Sequence, residues 1–101
     1  MKEGALKQDK TIFCDLFGYS PETKILELLL EGRELEYTLN DIIKAVHVNR
    51  KRAYQILNFY AKKGIIQKSK QVKHLKFYKI NAQREEIKLL ERLFDKMVKA
   101  S

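Results

Sequence analysis

The sequence predicts a mainly α-helical chain carrying one small β-hairpin, and three observations lead there. Four stretches place apolar residues at helical spacing between recognisable caps. Two short segments, "IIQKSKQ" and "HLKFYKI", read as strands about a tight basic connection near Val72-Lys73-His74. With 101 residues and 45% apolar content, the chain makes one domain with a modest core.

Residues 1–19 show no sustained period and read as an N-terminal arm, docked by Ile12, Phe13, Leu16 and Phe17. "SPETKILELLLEG" is a well-marked helix, with Ser20 as N-cap, Pro21 at the first position, Glu22 near the positive end and Gly32 as stop. Ile25, Leu28 and Leu29 form its buried stripe, widened by Leu26 and Leu30. "RELEYT" is brief and extended, a one-bridge strand around 36–38. Thr38 and Asp41 then open a second helix, "LNDIIKAV", in a capping-box pattern. Leu39, Ile42, Ile43 and Val46 supply its core face, and it stops at His47-Val48.

Asn49 caps a third helix, from Arg50 to about Lys63, which ends at Gly64. The hairpin follows, then a long helix over 82–101, "AQREEIKLLERLFDKMVKAS". Two helices about a three-residue turn, the second strongly cationic, form a helix-turn-helix candidate, and a basic hairpin directly after it is a wing. The expected division is an arm at 1–19, a winged helix-turn-helix at 20–81 and a C-terminal helix at 82–101.

Net charge is +8, and its distribution narrows the function. Between Ile42 and Arg84 lie twelve Lys and Arg and no Asp or Glu, so all thirteen acids fall in the flanks. Charge serving only solubility would intersperse the signs; a 43-residue stretch empty of acid is better explained by a polyanionic partner.

On a helical wheel, Ala53, Ile56, Leu57 and Tyr60 fall on one side of the third helix, while Lys51, Gln55, Asn58 and Lys62 fall on the other. Insertion into a major groove needs such a division, one face held by the domain and one carrying long donors. Lys51 and Gln55 suit base edges, lysine for guanine acceptors and glutamine for the adenine donor–acceptor pair, and Asn58 suits a base or a phosphate. Arg50 and Arg52, at the rim, suit phosphates, which would lie between these neighbouring cations. The Tyr54 hydroxyl suits a phosphate too, and Thr38 and Asn49 cap helix starts whose free N–H groups favour anions. Lys62 and Lys63 mainly complement the helix dipole. Phe59 falls outward beside Arg52, to pack under the arm, meet a second subunit or touch DNA.

Lys68, Lys70, Lys73 and Lys76 decorate the hairpin, and Lys73 or His74 at its tip would approach the backbone or enter a minor groove. The blander reading of these lysines is protection of an edge strand from aggregation. In the last helix, Ile87, Leu90, Phe94 and Met97 repeat at helical spacing with Leu89, Leu93 and Val98 beside them. That is more apolar surface than one face buries, so Ile87, Leu90, Leu93, Phe94 and Met97 are the expected dimerisation residues of a twofold homodimer. The alternative is a monomer with this helix folded over the first helix and the arm.

Other classes find little support. No run of about 18 apolar residues occurs, and the N-terminus lacks a signal-peptide pattern, so an intracellular, cytoplasmic protein is expected. Cys14, the single cysteine, has no partner for a disulfide and no zinc spacing. His47 and His74 have no nucleophile or acid placed to build a catalytic or metal site, and the four glycines are isolated, so no enzyme and no cofactor is expected.

"SPETKILELLLEG" together with "YTLNDIIKAVHVNRKRAYQILNFYAKKGIIQKSKQVKHLKFYKIN" resembles archaeal-type winged helix-turn-helix regulators of the broad MarR/ArsR-like superfamily. The resemblance covers about residues 12–81. It implies a three-helix core plus wing, with helix 50–63 as recognition helix and "FYKIN" as the returning wing strand. Departures are the absence of glycine from the wing turn and of the paired thiols used by metal-sensing members. No small-molecule effector is identifiable. The function expected is sequence-specific transcription regulation on double-stranded DNA. The alternatives are an architectural or plasmid- or virus-maintenance DNA-binding protein and an RNA-binding winged-helix module.

Overall fold

Capping chemistry sets the helix boundaries in the computed structural model, which describes residues 12–100. The elements are α1 (Phe13–Phe17), α2 (Pro21–Glu31), α3 (Leu39–Val46), α4 (Arg50–Lys62), β1 (Ile66–Val72), β2 (Leu75–Ile80) and α5 (Glu85–Ala100). The described residues are thus mainly helical, with one two-stranded antiparallel hairpin. None of these helices is long and apolar enough to cross a membrane.

Ser20 Oγ accepts from the Thr23 N–H at 3.2 Å, and the Gly32 N–H closes α2 on the Leu28 carbonyl at 3.0 Å. Because α2 packs on α1, α3, α4 and β2, it buries more than one stripe. Ile25, Leu29 and Leu30 are buried and Leu26 and Leu28 partly so, which places Leu30 deeper than the expected stripe has it. The capping box of α3 is complete: Thr38 Oγ1 accepts from the Asp41 N–H at 3.2 Å, and the Asp41 carboxylate accepts from the Thr38 N–H at 2.9 Å. His47 ends α3 in the left-handed region, at φ 56° and ψ 49°. Asn49 Oδ1 then accepts from the Arg52 N–H at 2.8 Å and starts α4.

After α4 the chain reverses at Gly64, whose φ of 76° favours glycine. The hairpin pairs Ile66 with Ile80 and Val72 with Leu75, leaving Lys73-His74 as the connection, with Lys73 at φ 57°. Lys68 faces Tyr78 while Lys70 faces Phe77, so Ser69 is the extra residue of a bulge, its hydroxyl donating to the Phe77 carbonyl at 3.3 Å. Tyr37 and Tyr78 exchange two backbone hydrogen bonds of 2.8 Å, which is the single bridge expected around 36–38.

Two ends of the chain differ from expectation. Residues 1–11 of the N-terminal arm lie outside the described residues. Within the arm, for which no period was expected, residues 13–17 form a short helix that docks through Phe13 and Cys14, while Ile12, Leu16 and Phe17, expected to dock it too, are exposed. At the other end α5 starts at Glu85 rather than 82. The Asn81 side chain competes with helix start: it accepts from the Gln83 N–H at 3.3 Å and donates to the Gly64 carbonyl at 3.0 Å.

The expected dimerisation set also needs correction. Ile87, Phe94 and Met97 are buried by their own chain and Leu90 packs against the same core. Phe94 meets Phe13 edge-on at 5.6 Å, and Arg33 reaches Asp95 at 2.6 Å and Glu91 at 3.7 Å. These contacts hold α5 against α1 and the turn that follows α2. Of the five residues only Leu93 is exposed, together with neighbouring Leu89 and Val98.

Candidate nucleic-acid interface

The two faces of α4 separate as the wheel requires. Ala53, Ile56, Leu57 and Tyr60 are each no more than 6% exposed and join the core. Lys51, Gln55, Asn58 and Lys62 face solvent. Among the described residues the Lys51, Gln55 and Asn58 side chains make no hydrogen bond or ion pair, so their donors stay available to a ligand. Burial in the core pushes the Tyr60 phenol up to about 12, and its hydroxyl donates to the Glu22 backbone carbonyl at 2.8 Å. That bond fixes the turn of α4 about its own axis against α2.

The three consecutive cations splay apart rather than lying in a row. Arg50 donates to the Asn40 side-chain carbonyl at the start of α3, and Arg52 forms an ion pair with Glu22 at the start of α2. Lys51 projects between them, exposed. The sequence reading of phosphates lying between the three therefore needs correcting for Arg52: in the folded chain a carboxylate already sits against it.

A second group gathers between the start of α3, the first turns of α4 and the hairpin. Thr38, Asn40, Arg50, Tyr54, His74, Lys76 and Tyr78 are among the residues lining a cleft of about 240 Å³ there. Five of the residues expected from sequence to touch nucleic acid thus share one concavity, and two of them are cations. The cleft also takes in the first turn of α3, where the Thr38 and Asp41 N–H groups are already engaged by the capping box. An anionic oxygen entering it would meet Arg50, Lys76 and the Thr38 and Tyr54 hydroxyls together.

On the hairpin Lys68 and Lys73 are exposed, as is the adjacent His74. Lys70 differs: its ammonium lies 3.1 Å from the Glu36 carboxylate and 4.8 Å from the centre of the Phe77 ring. The Lys70 hydrogen bond, followed by one from Ser69, holds the Glu36 carboxyl below the usual glutamate range. Phe59 is half exposed, with the Lys63 ammonium 5.6 Å above its ring, and shares a shallow depression of about 270 Å³ with Glu22, Arg52, Gln55 and Ile56.

Glu22, Glu36 and Asn40 were not legible as part of this surface. The 43-residue stretch is free of acid along the chain, but the fold returns two carboxylates to it from upstream. Only the mixed signs of the N-terminal flank hinted at this.

A larger open cavity of about 530 Å³ is lined by none of the expected contact residues. Cys14, Tyr19, Lys24, Glu27, Leu28, Glu31, Ala45, Val46 and His47 surround it. Burial, reinforced by Glu27, pushes the Cys14 thiol up to about 11, and the thiol donates to Glu27 at 3.4 Å. No group of three or more His, Cys, Asp or Glu among the described residues is placed to hold a metal ion.

Compared with known protein families, curated proteins and solved structures, the chain matches none.

Proposed function

We propose that this chain is a winged helix-turn-helix protein that binds double-stranded DNA sequence-specifically and regulates transcription. In this reading α3 and α4 are the helix-turn-helix, and α4 enters the major groove. The β1–β2 hairpin is the wing, on the backbone or in the minor groove. One observation carries the reading: Lys51, Gln55 and Asn58 form an exposed, unengaged ridge on a helix whose opposite face is locked into the core. Lys51 and Gln55 read base edges, Asn58 a base or a phosphate, and the cleft around Arg50, Tyr54, His74 and Lys76 seats a phosphate. Lys68 and Lys73 add sequence-independent attraction.

The active form is a homodimer through the outer face of α5. Leu89 and Leu93 are one turn apart and uncovered, with Glu85 and Glu86 before them and Lys96 after them. Two copies of α5 crossing antiparallel about position 91 would set the leucines against each other and acid against lysine at each end. The two α4 helices would then address successive major grooves, about 34 Å apart.

Fluorescence-anisotropy titration of duplex DNA against structured RNA at equal salt tests the nucleic-acid class. The proposal expects duplex DNA to bind tighter. A preference for RNA of about tenfold, some 1.4 kcal/mol, would replace it with an RNA-binding role.

A further inference from the structure

The cationic surface is trimmed by the chain's own acids. Glu22 leads α2, thirty residues before Arg52, yet its carboxylate forms an ion pair with that guanidinium. Glu22 is not placed there by chance rotation of an exposed side chain alone. Its backbone carbonyl accepts from buried Tyr60 at 2.8 Å, so the start of α2 is fixed beside the outward ridge, and Gln55 and Phe59 border the same depression. Glu36, just ahead of the Tyr37–Tyr78 bridge, is likewise held by backbone pairing and faces Lys70 at 3.1 Å. Both acids contact cations on the surface proposed to meet DNA.

We infer that Glu22 and Glu36 are specificity-determining residues that act as internal substitutes for phosphate, each occupying one cation that a nucleic-acid backbone would otherwise engage. The inference rests on the DNA-binding reading above. Sequence-independent affinity grows with the number of phosphates neutralised, whereas discrimination comes from base edges. Holding Arg52 and Lys70 on carboxylates lowers the first quantity and leaves Lys51 and Gln55 free to supply the second. A phosphate reaching Arg52 must displace Glu22 or lie against it, so loose non-specific complexes gain nothing from that arginine.

The test is a titration of a mixed-sequence duplex, over a series of salt concentrations, with the wild-type chain, Glu22→Gln, Glu36→Gln and the double variant. Each released cation should steepen the slope of log K against log salt by about 0.9, equivalent to about eightfold tighter binding at about 0.1 M salt, and the double variant should add the two. Arg52→Gln supplies a second arm. Beside Glu22→Gln it should cost several-fold in affinity, returning the pair of changes, which removes both charges of the ion pair, to roughly wild-type binding. Wild-type binding with unchanged slopes in the glutamine variants would overturn the inference while leaving the DNA reading intact. So would Glu22→Gln combined with Arg52→Gln binding as tightly as Glu22→Gln alone. Absence of duplex binding by all the proteins would overturn the DNA reading itself, and this inference with it.

Discussion

The Tyr60 hydroxyl donates to the backbone carbonyl of Glu22, while the Glu22 carboxylate holds Arg52 on the outward flank of the same helix. One residue of α2 thus grips α4 from both its buried and its exposed side. The direction in which Lys51, Gln55 and Asn58 point depends on that grip.

Tyr60→Phe should cost about 1 kcal/mol of stability near neutral pH, the usual worth of one hydrogen bond. The same phenol makes the fold sensitive to alkali. It titrates at about 12 in the folded chain and about 10 when unfolded. Below pH about 10 both states keep the proton, and this contribution is fully present; between about 10 and 12 the unfolded chain loses it first, so stability falls by on the order of 2 kcal/mol. Urea melts at about pH 8 and about pH 11 should show the loss in wild type and a smaller one in Tyr60→Phe.

Gln55 lies mid-ridge and unengaged, so Gln55→Ala should relax discrimination at one base position, at a cost of about 1–3 kcal/mol on the preferred sequence and little elsewhere. Competition titrations with single-base variants of the site read this directly. An equal loss on every sequence would show that Gln55 does not read bases.

The hairpin lysines should not be equivalent. Lys73→Ala should weaken binding on all sequences and flatten the salt slope by about one, because Lys73 is exposed at the turn with its ammonium unpaired. Lys70→Ala should flatten it less, since Glu36 already neutralises Lys70. Equal slopes for the two variants would contradict this difference.

Phe94 and Leu93 are neighbours with opposite expected phenotypes. Phe94 is 2% exposed and packs on Phe13, so Phe94→Ala should destabilise the fold by about 3–5 kcal/mol. Leu93 lies on the outer face, so Leu93→Ala should change stability by less than about 0.5 kcal/mol in the isolated chain while weakening self-association. Denaturant melts and sedimentation over a concentration series separate the two effects.

Local chemistry made much of the fold legible. Ser20, the Thr38–Asp41 box and Asn49 each announce a helix start that the backbone obeys, and Gly64 marks where α4 must stop. The division of α4 into a buried and an exposed face was readable because helical period maps directly onto burial. What was not readable depends on contacts distant in sequence. Nothing near Phe94 says that its partner is Phe13, so the apolar excess of α5 read as a face for another copy although most of it serves the chain's own core. Nothing near Arg52 or Lys70 says that Glu22 and Glu36 will arrive beside them. The Ser69 bulge and the Asn81 turn escaped because each trades regular backbone pairing for a side-chain hydrogen bond.

The central claim is that the ridge of Lys51, Gln55 and Asn58 reads DNA, and one titration tests it most directly. A duplex selected by the wild-type chain from random sequences is titrated, against its scrambled counterpart, with a Lys51→Ala, Gln55→Ala, Asn58→Ala variant. The account predicts a folded variant that has lost preference for the selected site while keeping salt-dependent binding to both duplexes. A variant that still prefers the selected site as strongly as wild type would contradict it.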